Sequence, residues 1–154
     1  MGYELHIVRK NDWNNLDEES NITLNEWLSY TNNDSELEPT NSGNIKAGEE
    51  QFFHNKPGYC EWNAHSIYKE TNARPWFAYW KGHISTKNPD NETVLKMLTI
   101  AEKLNAKVQG DDGEFYEEDD MLKIINSDNS QLPDRIPTKK KAWWKFWYKF
   151  TKKI

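Results

Sequence analysis

The run Trp76-Phe77-Ala78-Tyr79-Trp80-Lys81-Gly82-His83-Ile84-Ser85-Thr86-Lys87 leads directly into Asn88-Pro89-Asp90. Its two halves, residues 76–80 and 83–87, are rich in aromatic and β-branched side chains and predict two strands. Lys81-Gly82 between them predicts a two-residue hairpin turn. Asn88 then predicts a helix N-cap with Pro89 at the first helical position, where the fixed φ of proline suits a helix and its missing N–H does no harm.

A long amphipathic helix is predicted after Pro89. Its apolar side chains recur at helical spacing: Val94, Leu95, Met97, Leu98, Ile100, Ala101 and Leu104. Asn105 predicts a left-handed residue at the C-terminal end of this helix. Two short runs, residues 106–109 and 114–116, then predict a last hairpin around Gly110-Asp111-Asp112-Gly113.

The N-terminal segment predicts a strand. Tyr3, Leu5 and Ile7 alternate with polar residues, so residues 3–8 are expected to bury one face of a strand and to expose the other. Residues 10–21 are polar and predict a loop.

A shorter helix follows this loop. Thr23 and Glu26 have the spacing of a capping box, and Ile22 and Trp27 occupy the positions of a hydrophobic staple. A helix of two or three turns is therefore expected to begin at Leu24 and to bury Leu24, Trp27 and Leu28.

The middle of the chain predicts a loop and a hairpin. Residues 31–50 are polar and predict a loop with at most a short strand. Gln51–His54 and residues 59–66 flank Pro57-Gly58, which favours a type II turn between two paired strands. In the second run Cys60, Trp62 and Ala64 share one face, and Tyr59, Glu61, Asn63 and His65 share the other.

The order of these elements predicts an α+β fold: an antiparallel sheet of hairpins and a meander, with two main helices packed on one face. The 154 residues suffice for one domain, and 21 aromatic residues are expected to dominate its core. We expect a single α+β domain over residues 1–125. A linker over residues 126–138 and a basic, tryptophan-rich amphipathic tail over residues 139–154 are expected to follow.

The predicted compartment is the cytoplasm. The single cysteine, Cys60, excludes an internal disulfide, and the N-terminus has no long apolar stretch of the kind that export requires. No window approaches the ~20 apolar residues of a membrane span.

Several stretches resemble a group of small uncharacterised bacterial proteins. They are Tyr3-Glu4-Leu5-His6-Ile7, Ile22-Thr23-Leu24-Asn25-Glu26-Trp27-Leu28-Ser29-Tyr30, Trp76-Phe77-Ala78-Tyr79, Lys87-Asn88-Pro89-Asp90 and Ala106-Lys107-Val108-Gln109-Gly110-Asp111-Asp112-Gly113-Glu114. The resemblance covers roughly residues 3–116. It implies a bacterial origin and a common fold, and it supplies no activity. The tail does not belong to the pattern.

The tail is the most unusual feature of the sequence. Residues 139–154 contain seven lysines and no acid, so residues 1–138 carry 13 basic against 25 acidic groups, a net charge of -12. Read as a helix, the tail separates aromatic from basic side chains; the residues that carry this pattern are Lys141, Trp143, Trp144, Lys145, Phe146, Trp147, Lys149 and Phe150. This pattern predicts that the tail binds an anionic membrane surface, namely that of the inner membrane. The alternative is that the tail docks on the acidic body or on a partner protein. Nucleic acid is not expected as a partner, because the body would repel it.

An acidic strip near the end of the domain is the second candidate. Its carboxylates are Asp111, Asp112, Glu114, Glu117, Glu118, Asp119 and Asp120. We interpret them as a surface that binds a protein partner, such as a basic toxin domain. The alternative is a solvated loop beside a hairpin. The spacing of an EF-hand is absent, so no metal is expected.

No catalytic site is predicted. His6, His54, His65 and His83 lack the spacing of a metal site, and Cys60 is expected in the core. No cofactor is expected. Glu4 with His6, or Glu61 with His65, could form an acid–base pair on the polar face of the sheet, which keeps a small-ligand-binding protein or enzyme as an alternative.

The preferred hypothesis is a non-enzymatic binding protein. Small size, acidity and the lack of a catalytic motif fit an immunity-type inhibitor that occludes the active surface of a bacterial toxin by charge complementarity. A peripheral membrane adaptor anchored by its tail is a further alternative.

Overall fold

The computed structural model describes residues 2–15, 18–40, 57–67 and 74–117, together with Asp119 and Lys123. The chain divides into two units, Met1–Met121 and Leu122–Ile154, and every helix and strand given below belongs to the first. The predicted linker and tail, and the predicted strand Gln51–His54, lie outside the described residues.

The described elements form an antiparallel sheet with two helices, which confirms the predicted α+β class. The strands are β1 (Glu4–Val8), β2 (Leu37–Pro39), β3 (Tyr59–Trp62), β4 (Trp76–Trp80), β5 (His83–Lys87), β6 (Lys107–Gly110) and β7 (Phe115–Tyr116). The helices are α1 (Leu24–Asn33) and α2 (Asn91–Lys103), and a short 3-10 turn covers Glu18–Ser20. Among the described residues the sheet order is β2-β3-β4-β5-β1-β6-β7.

The N-terminal strand lies inside the sheet. In register, Ile7 faces Ile84 of β5 on one side and Val108 of β6 on the other, and all three are fully buried. Helix α2 packs against β1 and β6, and α1 packs against β2. The prediction that β1 buries only one face is wrong, because His6 is 1% exposed on the face opposite Ile7.

Helix α1 begins as predicted. The Thr23 hydroxyl accepts a hydrogen bond from the Glu26 amide at 3.2 Å, and the Glu26 carboxylate accepts one from the Thr23 amide at 2.8 Å. Ile22 and Trp27 are fully buried. The capping box and the staple residues therefore set the start of the helix.

Helix α2 begins two residues later than predicted. Asn88 has φ +48°, and both its amide and its side chain bond the backbone of Tyr3 beside β1. This contact removes Asn88 from the capping position. Asp90 is the N-cap instead, and its carboxylate accepts hydrogen bonds from the amide and the hydroxyl of Thr93.

Turn chemistry is confirmed at two further places. Lys81 and Gly82 have φ +41° and +91°, which suits a type I′ hairpin, and Asn105 has the expected left-handed φ of +50°. The strands that pair with β3 are not the predicted one, however. β2 and β4 pair with the two edges of this strand at Cys60, where Pro39 and Phe77 lie opposite.

A buried lysine joins α2 to the turn after α1. Lys96 is 8% exposed and donates to Asp34 at 2.9 Å and to Glu36 at 2.8 Å. Burial by itself raises the pKa of Asp34, but the hydrogen bonds from Lys96, the Glu36 amide and Tyr30, together with the charge of Lys96, hold that pKa below its usual value. Glu36 also accepts from the indole of Trp62 at 3.2 Å, so the network reaches β3.

Gly58 is required in the turn before β3, where the backbone lies against α1. It has φ +91°, and a Cβ at this position would lie 2.6 Å from the Cβ of Tyr79. Its carbonyl accepts a hydrogen bond of 2.7 Å from the buried indole of Trp27. The close approach of strand and helix therefore leaves no room for a side chain.

We expect Gly58→Ala to lower the free energy of unfolding by about 3 kcal/mol or more, because strain at positive φ adds to a clash with the Cβ of Tyr79. Gly113→Ala is the matched control: φ is +86°, and nothing lies within 4 Å of the added Cβ. It should lose only about 1–2 kcal/mol. Urea unfolding measures both, and equal losses would contradict the clash.

Candidate functional site

The turn between β6 and β7 is fastened to β1 by two of its carboxylates. Asp111 accepts from the Glu4 amide at 2.8 Å and is 3.0 Å from Nε2 of His6. Glu114 accepts from the hydroxyl of Tyr3. These bonds hold the two ends of the turn against the N-terminal strand.

The predicted acidic strip begins at this turn. Asp111, Asp112, Glu114, Glu117 and Asp119 are exposed, and Glu118 and Asp120 lie outside the described residues. Asp111 and Glu114 use their carboxylates within the fold. Within the described residues, no hydrogen bond or ion pair engages Asp112, whose side chain stands at the tip of the turn.

His6 lies behind this turn in a cluster with Trp13, His83 and Lys10, which we call the basic nest. Trp13, in the loop after β1, stacks on its imidazole with ring centroids 4.2 Å apart, and His83 of β5 meets it edge-on at 5.2 Å. With Asp111 ionised, Nε2 donates to its carboxylate. Nδ1 is buried and has no hydrogen-bond partner among the described residues.

Gln109 attaches the loop to the sheet. Its Oε1 accepts from the amide of Trp13 at 2.7 Å, and its Nε2 donates to the carbonyls of Asn11 at 3.1 Å and Gly113 at 3.0 Å. The side chain is 2% exposed and lies opposite His6 in register. One buried amide therefore positions both the loop and the acidic turn.

The nest is basic. Lys10 is 8% exposed, and its ammonium group donates to the carbonyl of Asn15. Burial, His6 and Lys10 together lower the pKa of His83 from 6.5 to about 4. His83 is therefore neutral at pH 7, and a proton on it would stand close to two other basic groups.

Within the described residues, no hydrogen bond pairs His6 with a serine or cysteine side chain. Ser85 lies opposite His6 across the β1–β5 pairing, yet no hydrogen bond links its hydroxyl to Nδ1. Trp13 covers one face of the imidazole. Within the described residues, no group of three histidine, cysteine or acidic side chains could hold a metal ion. The buried Cys60 lies in the core, and burial raises the pKa of its thiol.

His65 is not on the face predicted for it. It is 2% exposed beside the start of α2, where Nε2 lies 3.1 Å from Asp90 and Nδ1 accepts from the Ile67 amide at 3.1 Å. Glu61 pairs with Arg74 instead. Both ring nitrogens of His65 are thus used to fix the loop to the helix, and the predicted pair with Glu61 does not form.

The predicted pair of Glu4 and His6 is also wrong. His6 meets a carboxylate, but it is that of Asp111, 105 positions away, and Glu4 contributes its backbone amide to the same carboxylate. The structure therefore separates His6 and His65 into two clusters and joins His6 with His83, a pairing that the sequence did not predict.

A shallow groove between α1 and the end of α2 offers another concave surface. Its charged groups are engaged: Arg9 forks onto Glu26 at 2.8 and 3.2 Å and also donates to the carbonyl of Leu104. Hydrogen bonds from Arg9 and from the amide and hydroxyl of Thr23 together lower the pKa of Glu26 to about 2. These bonds tie the strand end to both helices.

Comparison with protein-family models, with curated proteins and with solved structures finds no match to this chain. In the part of the chain that the structure describes, no helix is long and apolar enough to cross a membrane.

We expect stability to fall by about 2 kcal/mol between pH 7 and pH 5 through His83. Its folded pKa, about 4, is below the ordinary value of 6.5, so the unfolded chain takes up the proton first as the pH falls. The loss begins near pH 6.5 and is complete below pH 4. Urea unfolding at each pH measures it.

His83→Gln is the control, because it removes the titrating group from the buried position. Glu26 affects the pH dependence of the free energy of unfolding only below pH 4.5, since folding lowers its pKa from that value. An unchanged pH profile in His83→Gln would contradict the assignment.

Proposed function

We propose that this protein is a non-enzymatic binding protein whose acidic turn between β6 and β7 occludes a basic surface of a protein partner. An immunity-type inhibitor that neutralises a bacterial toxin acts in this way. The observation that supports the proposal is the exposed carboxylate of Asp112 on a turn that Asp111, Glu114 and Gln109 fasten to the rest of the sheet.

Preorganisation makes such a turn suitable for binding. A flexible loop would lose conformational freedom on binding, and this loss would weaken the complex. Here three side chains already restrain the turn, through the Glu4 amide, the Tyr3 hydroxyl and the Gly113 carbonyl. The ordering cost is therefore largely met during folding.

The charge of the body favours the same kind of partner. Residues 1–138 carry a net charge of -12. An acidic body steers a basic surface towards it and repels acidic ones, and both effects weaken as salt screens the charges. Association should therefore be fast at low salt and sensitive to ionic strength.

We expect Asp112→Lys to weaken partner binding at least tenfold, because it places a cation where the partner presents its own positive charge. Glu102→Lys is the matched control: it makes the same change in charge at an exposed position of α2. Full-length protein is used as bait in cells of the native source at low and high salt, and the captured partner is then titrated against each variant.

The proposal requires that wild type and Glu102→Lys retain one stoichiometric protein partner and that Asp112→Lys loses it. Equal loss of partner binding in both variants would show that overall charge, and not the acidic turn, causes the effect. The absence of any stoichiometric partner would overturn the proposed function.

We further propose that the tail holds the protein at an anionic membrane surface. Its sequence supports this: seven lysines and no acid lie within residues 139–154, interleaved with tryptophans that favour the membrane interface. Each lysine near such a surface contributes about 1 kcal/mol.

Full-length protein should sediment with anionic vesicles and not with neutral ones, and less at high salt. Replacing Lys141, Lys145 and Lys149 by Gln should weaken vesicle binding on the order of a hundredfold, since three lysines are lost. The control replaces Lys87, Lys103 and Lys107 on the body by Gln. Equal binding by the two triple variants would refute a role for the tail.

A further inference from the structure

The loop after β1 covers the basic nest. Trp13 stacks on His6 and meets His83 edge-on, with ring centroids 6.1 Å apart. The indole thus lies over the imidazoles of two neighbouring strands. Among the described residues, only His6 and His83 make ring contacts with Trp13.

The loop is held by a few polar bonds. The amide of Trp13 and the carbonyl of Asn11 both bond the side chain of Gln109, and Lys10 donates to the carbonyl of Asn15. In contrast, β1 and β5 below it are paired strands in the interior of the sheet. The loop can therefore detach at a lower free energy than the strands can separate.

The charged groups around His83 oppose its protonation. His6 faces it from β1, and Lys10 faces it from the loop. Asp111, on the turn after β6, is already bonded to His6. Asp12 in the loop accepts from the Asn14 amide and is exposed. On β4, the residue opposite His83 is Trp80, which is followed by Lys81.

We propose that protonation of His83 in mild acid releases the Trp13 loop from the sheet. Release hydrates both imidazoles, so that the proton no longer resides among buried basic groups. It also lets Nδ1 of His6, which has no hydrogen-bond partner among the described residues, bond water. The strands beneath keep their pairing.

The acidic turn responds to the same event. Gln109 bonds the Trp13 amide and the Gly113 carbonyl together, so that losing the loop removes one side of this bridge. Mild acid therefore loosens the turn as well as the loop. This inference concerns the free protein and does not rest on the proposed binding function.

Hydrogen exchange of the Trp13 amide tests the release. This amide is protected in the closed form by its bond to Gln109, and it should exchange faster than the amides of β1 at every pH between 6.5 and 4.5. Its protection factor should fall about tenfold per pH unit in that window, because one proton is taken up on opening.

His83→Gln should keep the protection of the Trp13 amide nearly constant over the same range, whereas His65→Gln should leave the fall unchanged. His65 is the matched control because it is also buried but has both nitrogens bonded away from Trp13. NMR of the wild type gives a second test: the signals of the His83 ring and the Trp13 indole should titrate with the same midpoint.

Equal protection of the Trp13 and β1 amides at each pH would mean that the loop opens only on global unfolding, which overturns the proposal. A fall in protection that persists in His83→Gln would also overturn it.

Discussion

The insertion of the N-terminal strand between β5 and β6 is the constraint on which the rest of the structure depends. β1 joins the meander of β2 to β5 to the hairpin of β6 and β7, so without it the sheet would separate into two parts. In this sheet β1 buries both of its faces. Ile7 fills one face with an apolar side chain, whereas His6 on the opposite face brings a polar ring into the interior.

The interior manages its polar groups by pairing most of them. Lys96 has two carboxylates, His65 has a carboxylate and an amide, and Gln109 makes three hydrogen bonds. Buried polar groups satisfied in this way specify how elements meet, because the unpaired alternative is costly. Among the described residues, the exceptions are Oδ1 of Asn21, the hydroxyl of Thr40 and Nδ1 of His6. Of these, only His6 has a ring that is bonded through one nitrogen and unpaired at the other.

Features that depend on residues close together in the sequence could be predicted, whereas features that depend on distant residues could not. The capping box of Thr23 and Glu26 and the Lys81-Gly82 turn are local, so residue spacing sufficed to find them. Asn88 failed as a cap because of contacts with Tyr3, 85 positions away, and no local pattern reports such a contact. The acidic strip was visible in composition, whereas the joining of Trp13, Gln109 and His83 required the strand order of the sheet.

Strand order also explains why the acidic turn and the basic nest are neighbours. β1 pairs with β6, so the residues that follow β6 reach back over the start of β1, and Asp111 arrives at His6. The same carboxylate faces solvent on one side and an imidazole on the other. The exposed acidic turn and the buried pair of His6 and His83 are therefore joined through Asp111. At Nδ1 of His6 a buried polar atom has no partner among the described residues, and such a departure from local pairing is expected at functional or strained sites.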